Sequence, residues 1–475
     1  MSYGLHRRWV FARTCAAEET EHHLRSSKYE PRNGLSKAVF ATVEAKSQKQ
    51  SRLEAFILLA FLILGYAPEV HNKMSFSQDG VWNQVIWASF YVFAFFRLFS
   101  MRVQALNFLS RSLPLVSFCT LMLVSAFWSV APSVTLIESI ELAGSAMIGL
   151  YVVLRFPISS VVKILLLKFF IVAVASFAVI VLAPGRGRED WGAGAWSGLL
   201  PDKNSLGASM ALALVLLVSF SPKSGRERIA VVFAAVLFSI LLLGSKSTTA
   251  VTSCVASIGT MLSVLVLRSK NTSNAVRIGV FTTITMAALG LVIANFQPDS
   301  LLGLVGKSST LTGRTDFWPY LQQAIADRPL LGFGYGAFFG SSIGADYLST
   351  YVVEAGGWHP FHAHNSFFQI ALDAGYVGVA LFAVALGVAL FRAIKLCFAN
   401  PTTRSIFPLS IILYLMVSGY TETSFAMYNT DLWILFICAA FYPLKYPKVP
   451  KPKSVLVQVD NVSDLKRLGR SRFPA

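Results

Sequence analysis

The chain has 475 residues, 55% hydrophobic and only 14% charged, and carries a formal charge of +17 from 41 Lys/Arg and 24 Asp/Glu. Soluble proteins are nearer a quarter charged, and the apolar residues here fall in runs too long for buried strands. A soluble enzyme is excluded, and the excess of positive charge is not a nucleic-acid signal, because it follows a membrane topology.

Residues 1–52 form a polar tail with ten Lys/Arg against five acids, and nothing in it resembles a catalytic domain. The first apolar run begins near Leu53, which does not look like a cleavable signal peptide. Hydropathy then predicts twelve spans, at 53–67, 81–99, 113–129, 134–154, 161–183, 205–220, 229–244, 248–267, 277–296, 366–390, 405–420 and 428–443. Several fall short of the ~20 residues of an untilted span. A second basic, polar tail occupies 444–475. The expectation is an all-α polytopic membrane protein. Its 37 Phe, 9 Trp and 15 Tyr suit lipid-facing helices with amphipathic rings at the interfaces.

Charge tests that topology. With both termini in the cytoplasm, all Lys/Arg but eight fall on the cytoplasmic side. They include the clusters Arg97/Arg102/Arg111, Lys223/Arg226/Arg228, Arg268/Lys270/Arg277 and Arg392/Lys395/Arg404. The positive-inside rule then holds at every loop, which requires an even number of spans. Cys15, Cys119, Cys254, Cys397 and Cys438 are dispersed, so neither a disulfide framework nor a zinc site is indicated.

Two segments on the outer side stand out. One is PGRGREDWGAGAWSGLLPDKN at 184–204. The other, 297–365, is much the longest connection, and a structureless loop of that length is unusual. Thr315–Ala326 is predicted helical, with Pro319 near its first turn. DRPLLGFGYGAFFG follows as a glycine-aromatic turn region that permits close backbone approach. No internal repeat is evident, in contrast to many transporters.

The eight outer cations are Lys73, Arg186, Arg188, Lys203, Lys246, Lys307, Arg314 and Arg328. An arginine that defies the orientation rule needs a local reason. Guanidinium offers a diphosphate a planar, permanently charged donor fork, and Arg186 and Arg188 directly follow a span. The alternative is pairing with Glu189 and Asp190 in a solvated loop. Lys246 reads either as a ligand contact or as a snorkelling lysine. His359, His362 and His364 crowd into HPFHAH before the tenth span. Imidazole suits proton exchange at neutral pH. Zinc is a weaker alternative, because no carboxylate or thiolate lies nearby at a recognised spacing, and a non-catalytic polar interface is a third. Glu138, Glu141, Asp373 and Asp431 lie in or beside spans, where they either neutralise interior arginines or couple protons.

The chain resembles the O-antigen ligase and polymerase superfamily of bacterial envelope proteins. The resemblance runs in order through FWSVAPSVTL at 127–136, WGAGAWSGLLPDKNSLGASMAL, LLLGSKSTTAV, LTGRTDFWPYLQQAIADRPLLGFGYGAFF and AHNSFFQIALDAGYVGVALF. It covers roughly residues 53–443 and leaves both tails unexplained. It implies a GT-C-like glycosyltransferase in the bacterial inner membrane, with a large periplasmic loop between helices 9 and 10 and an active site facing the periplasm. Such enzymes use a glycan on undecaprenyl diphosphate: an acceptor hydroxyl attacks the anomeric carbon with inversion, and lipid diphosphate leaves. No nucleotide sugar, metal or other cofactor is implied.

Carried over, Arg186 or Arg188 would hold the diphosphate, with Lys203, Asn204 and Lys246 in support. Arg314 would bind substrate or orient the loop. His364 would be the base, with His362 its closest competitor and Asn365 beside it. Two departures stand out. Pro201-Asp202-Lys203-Asn204 lacks the histidine that many relatives carry before the Lys-Asn pair, and Lys246 stands where ligases often use arginine. FWSVAPSVTL, the GRGRED loop and DKNSLG look most like the exopolysaccharide-production branch. The expected function is therefore polymerisation of lipid-linked repeat units. The alternative is ligation to lipid A–core, and a lipid-linked glycan transporter comes third. Expected partners are the lipid-linked glycan, the acceptor, membrane lipids and polysaccharide assembly proteins, with no nucleic acid. The basic N-terminus reads as either an anionic-lipid contact or a solvated tail.

Overall fold

The computed structural model describes residues 52–63, 81–189, 194–268, 314–357, 359–399 and 403–446, together with the isolated positions 273, 276 and 279. Residues 1–51 and 447–475 of the predicted tails, all of the predicted ninth span at 277–296 but position 279, and Lys73 and Lys307 lie outside the described residues. By contacts the chain divides into residues 1–60, of which 52–60 are described and helical, and residues 61–475, which hold everything that follows.

The described chain is built of helices. They are α1 (Val81–Ser100), α2 (Arg102–Ser110), α3 (Leu113–Val124), α4 (Pro132–Arg155), α5 (Ile158–Leu182), α6 (Lys203–Val218), α7 (Gly225–Gly244) and α8 (Thr248–Arg268). There follow α9 (Arg314–Asp327), α10 (Ser342–Glu354), α11 (Ser366–Ala399), α12 (Phe407–Thr421) and α13 (Asp431–Lys445). Starts are set locally. Asp202 accepts from the backbone N–H groups of Asn204 and Ser205 to cap α6, Ser224 caps α7, and Thr430 caps α13.

The expectation of about twelve spans is overturned. Among the described residues five helices (α4, α5, α7, most of α8, and α11) are long and apolar enough to cross a membrane, and six if the bent pair α1–α2 counts as one span. The chain is multi-pass on that basis. An apolar interval is not in itself a span. At 1.5 Å per residue, α6 with 16 residues and α12 and α13 with 15 each reach roughly 22–24 Å, short of a ~30 Å hydrocarbon core. Helix α13 is instead an interior helix, buried from Trp433 through Tyr442 and packed on α4, α11 and α12. Trp433 and Tyr442 donate to the Leu142 and Phe156 carbonyls at 3.1 and 3.0 Å. Lys445 Nζ donates to the carbonyls of Val153, Leu154 and Phe156, which closes the C-terminal end of α4.

The expected large periplasmic loop and GT-C-like architecture are likewise not what the structure shows. Residues 297–313 lie outside the described residues. From Arg314 the chain is a packed helical unit, not a loop: α9 and α10 enclose Phe317, Leu321, Phe333, Phe338 and Leu348, which bury against Ala371 and Leu372 of α11. The apolar side chains that hydropathy left outside the spans make this core. Pro319 sits inside α9, further in than its first turn.

Helix α11 is interrupted after Asp373, where Ala374 and Gly375 leave helical geometry. The freed backbone is taken up by the glycine-aromatic segment. Phe333 N–H donates to Leu372 O at 2.7 Å and Gly334 N–H to Asp373 O at 3.0 Å, while Tyr376 N–H donates to Pro329 O at 2.7 Å. The approach admits no side chain. A Cβ on Gly375 (φ 63°) would lie 2.2 Å from the Leu330 carbonyl, and one on Gly332 (φ 64°) would lie 2.4 Å from Leu372 O. The break thus locks the 329–336 segment to α11, which carries the histidines at its start.

Candidate active site

The HPFHAHN segment leads into α11, and each residue of its end is held. Asn365 is the cap: its Oδ1 accepts from the N–H groups of Phe367 and Phe368, and its Nδ2 donates to Tyr420 O at 3.1 Å. The Asn365 amide is therefore committed to backbone. Ala363 donates to Gln369 Oε1 at 3.0 Å, and its carbonyl accepts from Trp318 Nε1 of α9 at 3.0 Å. Ser366 Oγ donates to Glu422 O and accepts from Ser424 N–H, joining the start of α11 to the end of α12.

These restraints hold His364 at φ 47°, a left-handed conformation that non-glycine residues rarely adopt. Its Nδ1 lies 2.8 Å from Glu422 Oε2, with side-chain exposures of 13% and 22%. An ionised carboxylate only accepts, so the proton belongs on Nδ1 and Nε2 becomes the basic nitrogen of the neutral ring. The His362 ring lies beside it, centroids 3.9 Å apart. His362 Nδ1 already accepts the His364 N–H at 3.2 Å and lies 3.4 Å from Thr423 Oγ1. Of these two rings, that of His364 meets the Glu422 carboxylate, while His362 Nδ1 faces the His364 backbone.

Glu422 is the residue that sequence reasoning missed. Its signal was an acid directly after an apolar helix, 58 positions from His364. His362, His364 and Glu422 each offer a ligand atom within 4.8 Å of the others, so among the described residues this trio could also hold a metal ion.

The predicted cations gather elsewhere. Arg186 and Arg188 are exposed on the turn after α5, and Arg188 bridges to Trp196. The Lys203 N–H donates to Glu189 Oε1 at 2.6 Å, and the Asn204 N–H to Asp202 Oδ1 at 2.7 Å. Trp196 N–H donates to Gly244 O at 2.9 Å, which docks this segment on the turn that carries Lys246, exposed at φ 53°. The structure thus places Arg186 and Arg188 after α5, Lys203 at the start of α6 and Lys246 on the turn between α7 and α8, in adjoining segments. Arg314 begins α9, whose Phe317 ring lies 6.2 Å from that of His364.

The acids have specific partners. Glu138 Oε1 accepts from Tyr428 Oη at 3.1 Å, and Asp373 accepts from Gly336 N–H and Gln369 Nε2. Burial, reinforced by neighbouring Glu138, pushes the Tyr428 phenol above its ordinary value and keeps it a donor. Asp431 pairs not with arginine but with Lys168 of α5, a side chain only 1% exposed beside a cavity of about 200 Å³. Removing one partner strands the other charge. Lys168→Met is expected to lower stability by about 3 kcal/mol, and Lys168→Met/Asp431→Asn to recover most of it in thermal unfolding. A single mutant as stable as the wild type would show the pair to be dispensable.

Residues 233–383 match the family model described as O-antigen ligase. That match and the relative described next support assignment of the chain to the broad O-antigen ligase and polymerase superfamily. A similar curated protein is the exopolysaccharide production protein ExoQ of Rhizobium meliloti (strain 1021), 26% identical over 322 residues that cover 65% of this chain and 73% of the relative. The stretch matched to the superfamily model contains Lys246, Arg314, His362, His364 and Asn365, and the break in α11, but not Arg186, Arg188, Lys203 or Glu422. The chain is therefore a multi-pass membrane protein with glycan-processing enzymatic activity.

Proposed function

We propose that this chain is a glycosyltransferase that moves a glycan from undecaprenyl diphosphate to an acceptor hydroxyl. The observation that carries the reading is the 2.8 Å contact between His364 Nδ1 and Glu422. Nε2 of His364 takes the proton as the hydroxyl oxygen attacks the anomeric carbon. Glu422 fixes the ring's tautomer and balances the imidazolium that forms. The sugar–phosphate bond breaks on the opposite face, so a single displacement inverts the anomeric centre. The departing diphosphate gains negative charge, for which Arg186, Arg188, Lys203 and Lys246 supply permanent or readily held cations. Arg314 orients substrate from the start of α9. The site faces the periplasm across the inner membrane, with both termini in the cytoplasm, as the distribution of basic clusters supports.

The acceptor we favour is lipid A–core, the ligase reaction. The O-antigen ligase model supports it ahead of the repeat-unit polymerisation expected from the sequence. Polymerisation stands as the second reading because the curated relative is an exopolysaccharide production protein.

Paired reactions of purified protein with undecaprenyl-diphosphate-linked repeat units, one with lipid A–core and one without, separate the two. Product only in the presence of lipid A–core is the expected result; longer lipid-linked chains in its absence would make the chain a polymerase. Transbilayer movement with no new glycosidic bond would leave only a transporter. Chelation with EDTA is expected to leave transfer unchanged. Loss of activity restored by zinc would instead make His362, His364 and Glu422 metal ligands.

A further inference from the structure

Helices α5 and α7 carry facing stripes at helical spacing. Lys163, Leu166, Leu167 and Phe170 line one side, and Glu227, Ala230, Val231, Ala234 and Phe238 the other, with Leu217 and Phe220 closing the back. The groove between them has a volume of about 350 Å³ and is apolar except at one end. Its length along α7, from Glu227 to Phe238, is roughly 16 Å, which suits a single extended hydrocarbon chain.

That one end is ionic. Lys163 Nζ lies 3.2 Å from Glu227 Oε1, and the two side chains are 51% and 33% exposed, so the pair sits at the mouth and not in the depth. Lys163 also lies over the Phe220 ring at 5.7 Å. Exposed Lys223 lies just before α7, and exposed Arg226 and Arg228 lie in its first turn, next to Glu227 in sequence. Four cations against the single Glu227 leave a net positive rim above a dry cleft. A soluble anion uses only the rim and a neutral lipid only the cleft; one molecule that matches both is a phospholipid with a negative headgroup.

We propose that the α5–α7 groove is a binding site for an anionic phospholipid, with one acyl chain between Leu167 and Ala234 and its phosphate at Lys163, Lys223, Arg226 and Arg228. The site lies outside the histidine and arginine clusters and does not depend on the glycosyl-transfer reading. Helices α5 and α7 meet directly at Lys163–Glu227 and at Phe170–Phe233, whose ring centroids lie 6.2 Å apart, and the lipid fills the cleft these contacts frame.

The full-length protein in detergent, titrated with phosphatidylglycerol or phosphatidylcholine and read by native mass spectrometry, tests this. The wild type is expected to retain phosphatidylglycerol with roughly fivefold or greater preference, diminishing at high salt. Lys223→Gln/Arg226→Gln/Arg228→Gln should abolish the preference while some lipid remains bound. Ala234→Trp, which fills the cleft, should lose the bound lipid, and Ala230→Leu provides a milder filling should the tryptophan variant fail to fold. Equal retention of the two lipids by the wild type, or preference unaltered in the triple variant, would overturn the proposal.

Discussion

His364→Ala is expected to reduce glycan transfer by roughly two to four orders of magnitude, the range over which a positioned base acts, without loss of folded protein. His364 touches the buried apolar core only at its edge, through the Phe317 ring, so its loss should be visible chiefly in kcat and little in thermal unfolding. Glu422→Gln is expected to follow it, with a smaller fall. Glutamine can still accept from Nδ1 but cannot balance an imidazolium, so kcat should drop while KM for the lipid-linked donor stays close to wild type. A Glu422→Gln enzyme with unchanged kcat would reduce the pair to a structural hydrogen bond. His362→Ala is the internal comparison: its Nδ1 is taken by the His364 backbone, and the expected defect is milder than that of His364→Ala.

The second large effect is on folding. Gly375 sits at φ 63°, ψ −166°, a region essentially restricted to glycine, and a Cβ there would meet the Leu330 carbonyl at 2.2 Å. Gly375→Ala is expected to destabilise the protein by about 3 kcal/mol or more, combining backbone strain with the clash. Because the break holds the 329–336 segment against α11, transfer should fall with the folded fraction, and the melting temperature should drop with it. Gly332→Ala, which meets Leu372 O from the other side at 2.4 Å, should behave alike. Gly340, where an added Cβ meets nothing within 4 Å, is the control: Gly340→Ala should leave stability within about 0.5 kcal/mol. Wild-type stability in Gly375→Ala would mean that the break is not rigid.

The membrane character was legible because charge and hydropathy are summed properties, insensitive to where any helix ends. The number of spans was not. Hydropathy scores α13 as it would a span, yet its apolar surface is spent on α4 and α12. Window averages cannot distinguish lipid from protein as the partner of an apolar face. In the 314–357 unit the helix at Thr315–Ala326 was legible, as α9, but the packed core was not: its side chains are separated by glycines and turns, so no long apolar run betrays them. His364 was visible because three histidines in six residues are rare. Glu422 and Lys168 were not, since each acquires meaning only from a residue brought to it by the fold, 58 and 263 positions away. Asn365 likewise shows a role that no sequence pattern announced, as the cap of α11.

His364 and Glu422 are expected to act as one catalytic unit in glycan transfer. A double-mutant cycle on the transfer rate tests it most directly, using purified wild type, His364→Ala, Glu422→Gln and the double variant with an undecaprenyl-diphosphate-linked glycan and lipid A–core. The double variant is expected to be no slower than His364→Ala alone, because Glu422 works only through the imidazole. Multiplicative losses, or an active His364→Ala enzyme, would contradict it.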